Sequence, residues 1–199
     1  METIRGKASL DLNMTELHAR LANYNRILLD LGTGDGKFAF CHADNFPNHF
    51  VISVDSCREN LHEHSRARLP NLLYLIASAQ NLPAELNGLV SHVTINFPWG
   101  SLLESLLIDG THLMRRLESI SSSTAFVDVR LNSGALAEAG WTLEAGAEQI
   151  YNNMLRAGWL VNTPAIMTAD ALRNFPSTWA KRLAFGRDPR AVAMTGYFK

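Results

Sequence analysis

From Asn25 onward the chain alternates short, continuous apolar runs with longer amphipathic ones. This is the pattern of strands and helices wound into a parallel sheet. Five runs read as buried parallel strands: Arg26 to Leu31, Phe50 to Asp55, Leu72 to Ile76, Ser91 to Phe97 and Thr124 to Leu131. Their Val, Ile and Leu follow one another without alternation, as expected where helices cover both faces of the sheet. Candidate helices fall between them, near Gly36 to Asn45, Glu59 to Arg68, Leu102 to Ser119 and Glu144 to Ala157, the last stopped by Gly158. Ala191 to Phe198 alternates as a closing strand, with a pairing partner expected near Leu160 to Met167. Ahead of the first strand, Met14 to Leu21 reads as a helix N-capped by Asn13, and Thr3 to Leu12 as a short hairpin.

Two stretches break the rhythm. Residues Asn132 to Leu143 and Thr168 to Arg190 are longer than the usual connection of about 4–6 residues, and long connections at the strand ends of such a sheet commonly hold substrate.

At 199 residues and 47% hydrophobic content the chain fits one domain spanning 1–199, and a charged fraction of 19% without low-complexity stretches argues against extensive disorder. No segment approaches the roughly 20 apolar residues that cross a bilayer, so a soluble, cytoplasmic protein is expected. Cys41 and Cys57 form no C-x-x-C pair, which indicates neither a disulfide framework nor a zinc site. A net charge of -1 speaks against a protein that coats nucleic acid. The distribution changes that picture: Asp170 to Lys199 holds Arg173, Lys181, Arg182, Arg187, Arg190 and Lys199 against only Asp170 and Asp188. The field is polarised toward the C-terminal end.

The strongest local motif is Leu28-Leu29-Asp30-Leu31-Gly32-Thr33-Gly34-Asp35-Gly36, a buried strand running into a glycine turn that opens a helix. Gly32 and Gly34 let the backbone turn tightly and approach a ligand, with the free N–H groups of a helix start behind them. Asp55 ends the second strand, 21 residues beyond Gly34, where a carboxylate accepts the hydroxyls of an adenosine ribose. That spacing fits either NAD or S-adenosylmethionine. Two details favour the second. Phe38 stands near the place of a third glycine, and Asp35 would face a pyrophosphate unfavourably but tolerate a cationic sulfonium and amino group. Asp30 fits as the partner of that amino group. After the third strand, Ala79 and Gln80 sit where such a fold lines an adenine. The expected architecture is therefore α/β, a class I S-adenosylmethionine-dependent methyltransferase of Rossmann-like type, with a mostly parallel seven-stranded sheet and helices on both faces.

The fourth strand ends in Asn96-Phe97-Pro98-Trp99-Gly100-Ser101, where a rigid Pro ahead of an aromatic makes a stacking platform for a flat substrate. A core-packed Trp99 is the competing reading. Trp179, flanked by Lys181 and Arg182, offers a ring for a base and cations for phosphates, against the alternative of a solvated amphipathic helix.

The segments LLDLGTGDG, NFPWGSLLE (Asn96 to Glu104) and above all STWAKRLAFGR (Ser177 to Arg187) resemble the aminoglycoside-resistance 16S rRNA methyltransferases of the NpmA and KamB type, across nearly the whole chain. Those enzymes modify N1 of adenine 1408, in the decoding site on helix 44 of the 30S ribosomal subunit. The resemblance implies that Trp99 and Trp179 sandwich a flipped adenine and that Ser101 and Ser177 lie beside the cofactor, with Asn96 in the same segment. It implies further that Arg182 and Arg187, with Lys181, anchor the RNA, that residues 132–143 and 168–190 are RNA-recognition insertions, and that a monomer reads the subunit surface. Two departures stand out. The helix after the second strand is lysine-rich in the family's best-known member, whereas here only Arg66 and Arg68 are firmly cationic and left to bind RNA on that face, and Gln80 replaces a glutamate near the adenine. An H-x-H metal site at His62 and His64 is disfavoured because residues two apart on a helix face different ways. Another RNA, a small-molecule acceptor or a non-catalytic binding role remains open at the level of the residues.

Overall fold

The computed structural model describes residues 1–108, 110–186 and 188–198. Five apolar runs form parallel strands β3 (Arg26–Leu31), β4 (His49–Asp55), β5 (Leu72–Ile76), β6 (Val90–Asn96) and β7 (Ser121–Asn132). Their order in the sheet is β5-β4-β3-β6-β7, so the winding reverses between β3 and β6. In open sheets of this kind ligands bind in the crevice beyond the strand C-termini at that reversal. β10 (Ala191–Tyr197) runs antiparallel beside β7, and β8 (Leu160–Val161) and β9 (Ala165–Ile166) pair with its other edge. The β1 (Glu2–Arg5) and β2 (Ala8–Asp11) hairpin joins the opposite edge, where Thr3 faces Leu75 of β5. Among the described residues the sheet thus has ten strands rather than seven, because the hairpin and β9 extend the expected frame at its edges.

Alternate residues of the strands feed two cores. Leu29, Leu31, Ile52 and Val54 pack with α1 (Met14–Leu21), α3 (Gly100–Leu107), α4 (Gly110–Ile120) and α6 (Leu143–Arg156), while Leu28 and Val51 face Ala39 and Ala43 of α2 (Lys37–Asn45). Helices therefore cover both faces. Each fully buried Leu or Ile contributes about 1.5–3 kcal/mol relative to exposure. Asn13 caps α1 through a reciprocal capping box with Glu16. The pairing of β8 with β10 depends on Gly196, since a Cβ there would lie 2.2 Å from the Leu160 carbonyl oxygen.

Two helices expected from the pattern are different. Glu59 to Arg68 is not an α-helix but a pair of 3-10 turns, Arg58–His62 and His64–Arg66. Only Leu61 and Ser65 of this stretch are buried, too narrow a stripe to hold a helix. It is pinned instead by outside partners, with the Ser65 hydroxyl accepting from Gly6 N at 2.9 Å. The run Leu102 to Ser119 is split into α3 and α4, with the exposed Ile108 and the helix-weakening Gly110 at the join. The two long connections have structure of their own: α5 (Ser133–Glu138) in the first, α7 (Ala169–Asn174) and α8 (Thr178–Ala184) in the second. Among the described residues no helix is long and apolar enough to cross a membrane.

Candidate active site

A cavity of about 590 Å³ opens at the C-terminal ends of the strands, beside the reversal between β3 and β6. Five segments line it: the turn after β3 with Asp30, Gly32 and Gly34; the end of β4 with Asp55; the loop after β5 with Ala79 and Gln80; the end of β6 with Asn96, Trp99 and Ser101; and the start of α8 with Ser177 and Trp179. The structure thus brings together eleven of the residues singled out in the sequence.

Gly32 and Gly34 adopt φ of +69° and +60°, in the left-handed region that only glycine occupies freely. A Cβ on Gly34 would meet nothing within 4 Å, so the cavity comes up to bare backbone there. Asp30, 1% exposed, lies at the cavity floor. Burial pushes its carboxyl up to about 6 from the ordinary 3.8, against the opposing effect of bonds from Thr33, Thr94 and Asn96 and the charge of Arg130. Its Oδ1 accepts from Thr94 Oγ1 at 2.9 Å and from Asn96 Nδ2 at 3.0 Å, and its Oδ2 accepts from Thr33 Oγ1. A carboxylate has about four acceptor positions, which leaves one for a donor in the cavity. Asp55 is braced by backbone: Oδ2 accepts from Gly34 N and Oδ1 from Cys57 N, each at 2.8 Å.

Ala79 presents a buried methyl wall. Gln80 is held by its neighbours, its amide nitrogen donating to Ser105 Oγ at 2.5 Å and its Oε1 accepting from Ser78 Oγ, so its reach toward a ligand is set by α3. Asn96 is a bridge whose Oδ1 accepts from Arg130 Nη1 at 2.9 Å while its amide holds Asp30. The side-chain hydroxyls of Ser101 and Ser177 make no hydrogen bond to protein among the described residues, although Ser177 N-caps α8.

Phe97 is the one non-glycine described residue with positive φ, +55°. Such a conformation costs of order 1–3 kcal/mol and persists where packing over-determines it. Here the ring is buried with Leu172, Ala180 and Ala191 and meets Phe175 edge-on at 5.6 Å, while its N–H donates to the Arg130 carbonyl at 2.8 Å. The resulting turn puts Trp99 on the cavity wall. Its ring lies 5.6 Å from that of Trp179, centroid to centroid, tilted by 34°. Among the described residues the buried Trp99 Nε1–H has no partner, and Trp179 is 42% exposed with the Arg182 guanidinium 5.3 Å over its ring. Contact on both faces of an inserted base needs about 7–8 Å between the rings, two van der Waals layers. A base between these two rings would require them to part by at least about 1.4–2.4 Å and to become parallel.

The sequence reading missed the residues that hold this wall. Phe175 stacks on Phe38 at 5.3 Å with planes 1° apart, and the Arg130 guanidinium sits 4.9 Å over the Phe175 ring. Phe38, noted only as a departure from a third glycine, is thus an anchor for the connection that carries α8. Lys181 and Arg182 are on α8 at the surface, and Arg187 lies outside the described residues. Arg66 and Arg68 do not line the cavity; Arg68 lines a separate groove of about 270 Å³ with Arg5 and Arg20. Among the described residues no cluster of His, Cys, Asp and Glu is placed to hold a metal ion.

A family model described as NpmA, 16S rRNA (adenine(1408)-N(1))-methyltransferase, matches residues 2–198. The chain belongs to this family. A 16S rRNA (adenine(1408)-N(1))-methyltransferase of Escherichia coli is 30% identical over 99% of this chain and 98% of its own length. An enzyme of the same description from Streptoalloteichus hindustanus is 30% identical over 98% of both. Among solved structures, the 16S rRNA methyltransferase KamB superposes with a TM-score of 0.89 over 100% of both chains at 28% identity. The family and these neighbours identify the α/β sheet as the class I methyltransferase fold. Its members are RNA methyltransferases, and the described part of STWAKRLAFGR, Ser177 to Gly186, forms α8 and its flanks beside the cavity.

Proposed function

We propose that this protein transfers a methyl group from S-adenosylmethionine to N1 of adenine 1408 in the 30S subunit and so confers aminoglycoside resistance. The observation that carries the reading is that Trp99 and Trp179 face each other on the same cavity whose floor is Asp30 and whose rim is Asp55. The residues fit the methyl donor. Asp30 is a buried carboxylate with one acceptor position open, suited to an ammonium group; Asp55 faces ribose hydroxyls, Ala79 and Gln80 the adenine, and Ser101 and Ser177 the methionine portion. Gly32 and Gly34 bring bare backbone against it. When bound, S-adenosylmethionine supplies an electrophilic methyl group.

The protein needs little acid or base for this chemistry, because adenine N1 is a neutral lone pair at pH 7, and positioning is the main contribution. The faces of Trp99 and Trp179 hold the flipped base and return the few kcal/mol lost on unstacking it. They also stabilise the cationic methylated ring by a cation–π contribution of about 0.5–2 kcal/mol that a neutral base does not receive. Asn96 links the Asp30 carboxylate to the Arg130 guanidinium and keeps the two in register.

Lys181, Arg182 and Arg187 contact the phosphates around the decoding site on helix 44, with Arg66 and Arg68 on a second face. The connections 132–143 and 168–190 are the RNA-recognition insertions of a single domain, 1–199, acting as a cytoplasmic monomer. The test is to incubate the protein and S-adenosylmethionine with unmethylated 30S subunits and map reverse-transcriptase stops, since a methyl on N1 blocks the pairing edge. A new stop at adenine 1408 supports the reading. Absence of that stop, with cofactor bound, overturns the assignment of substrate.

A further inference from the structure

Three successive residues of α8 and its cap face different partners. Ser177 lines the cavity, Trp179 meets Trp99, and between them the Thr178 hydroxyl donates to Asp35 Oδ2 at 2.6 Å. Asp35 belongs to the glycine turn, immediately after Gly34. Its other carboxylate oxygen accepts from Lys37 N at 3.1 Å, which fixes the side chain to the start of α2, and its carbonyl pairs with His64 Nδ1 at 2.7 Å. One residue of the cofactor turn is therefore bonded both to the helix that carries Trp179 and to the 3-10 turn that carries Arg66.

The bond matters because α8 has few other restraints. It is seven residues long, too short to be stable by itself. Ala180 is its one buried residue, and Trp179, Lys181 and Arg182 are exposed. Among the described residues, Thr178 to Asp35 is the only side-chain hydrogen bond from α8 to the rest of the chain. Packing of Ala180 and Leu183 against Phe97 and Leu172 sets how deep the helix sits. The bond to Asp35 ties its first turn to the cofactor turn.

We propose that Asp35 is a positioning residue for methyl transfer: through Thr178 it holds the Trp179 ring at a fixed place relative to the turn that binds the methyl donor. The proposal rests on the reading of Trp179 as an acceptor-stacking ring. In-line transfer is sensitive to displacements of about 1 Å, so a ring carried on an unanchored helix loses turnover without losing ligand affinity.

The test compares Thr178→Val, which keeps shape and removes the hydroxyl, with Thr178→Ser, which keeps the hydroxyl. Three quantities are measured: turnover on saturating 30S subunits, S-adenosylmethionine affinity by calorimetry, and acrylamide quenching of Trp179 emission, isolated by difference from Trp179→Phe. For Thr178→Val we expect kcat to fall on the order of tenfold, the effect of losing a hydrogen bond to a charged group, with cofactor affinity kept within about twofold and Trp179 more quenchable. Thr178→Ser should stay near the parent protein in all three. Unchanged quenching in Thr178→Val, or equal losses in Thr178→Ser, overturns the proposal. If quenching rises in Thr178→Val while kcat stays at the parent value, Asp35 does place Trp179 and it is the stacking role of Trp179 that fails.

Discussion

Replacing Asp30 with Asn should make the ligand-free protein more stable and its cofactor binding weaker. Burial pushes the Asp30 carboxyl from 3.8 to about 6, so ionising it costs about 3 kcal/mol more in the folded chain than in the unfolded one, at 1.36 kcal/mol per pH unit. Below about pH 4 both states carry the proton and the penalty is absent. Between about pH 4 and 6 the folded state keeps a proton that the unfolded state releases, so this group's contribution to stability falls as pH rises. Above about pH 6 the penalty is complete. The introduced amide would still accept from Thr94 and Asn96 through its oxygen and could donate to Thr33, so the geometry that holds Asp30 admits it. Asp30→Asn should therefore gain on the parent across pH 4 to 6 and level off at up to about 3 kcal/mol, or up to about 6–12 °C in Tm for a chain of this size. Urea denaturation of both proteins without ligand, at intervals from pH 4 to 7.5, measures the difference directly, and titrations shared by both cancel. Calorimetry with S-adenosylmethionine at pH 7.5 should show the affinity reversed in order. A stability difference that is absent at pH 7.5, or that does not vary from pH 4 to 7.5, would refute the argument.

Trp99→Ala and Trp179→Ala should each lower kcat on 30S subunits on the order of 10- to 1000-fold while cofactor affinity stays within about threefold, and single-turnover rates with separate calorimetry resolve the two; a parent-like rate in either variant rules out the sandwich. Asp55→Ala removes the brace on Gly34 and Cys57 together with the proposed ribose acceptor, so S-adenosylmethionine should bind on the order of 10- to 100-fold more weakly by calorimetry, and unchanged affinity removes Asp55 from the ribose site. Gly196→Ala forces a methyl against the Leu160 carbonyl and should destabilise the fold by about 1–3 kcal/mol in denaturant titration, with an unchanged midpoint counting against the close β8 to β10 approach.

What the sequence made legible follows from how local each determinant is. β3 and β5 were bounded to the residue because their apolar runs are largely buried and cut off by turns. The glycine turn after β3 was legible for the same reason, its glycines following a strand without interruption. The segment 59–68 was misread because its shape is decided by His64 meeting the Asp35 carbonyl and Ser65 meeting Gly6, partners that no local pattern reveals. The split between α3 and α4 was hidden by an apolar rhythm that continues from Leu103 and Leu107 to Leu113 and Leu117, with Gly110 as its one weak place. Within the site, residues that touch the cavity could be picked out by type and position. Those that hold the wall, Phe175, Arg130 and Thr178, could not, because their partners are distant in sequence: Thr178 and Asp35 are 143 residues apart.

The contact between the two tryptophans also bears on selectivity. With their centroids 5.6 Å apart and their planes tilted by 34°, the rings leave no room for a base between them, so the site proposed to receive a base is closed by the protein itself. A free nucleoside has only its own surface with which to wedge them open. On the proposed reading an RNA would bring the attraction of its phosphates for the exposed cations of α8 and could spend that binding on prising the rings apart. On the proposed reading, discrimination against free nucleosides would then require no pocket shaped to exclude them; it would follow from a gate that an uncharged small molecule is too weak a lever to move.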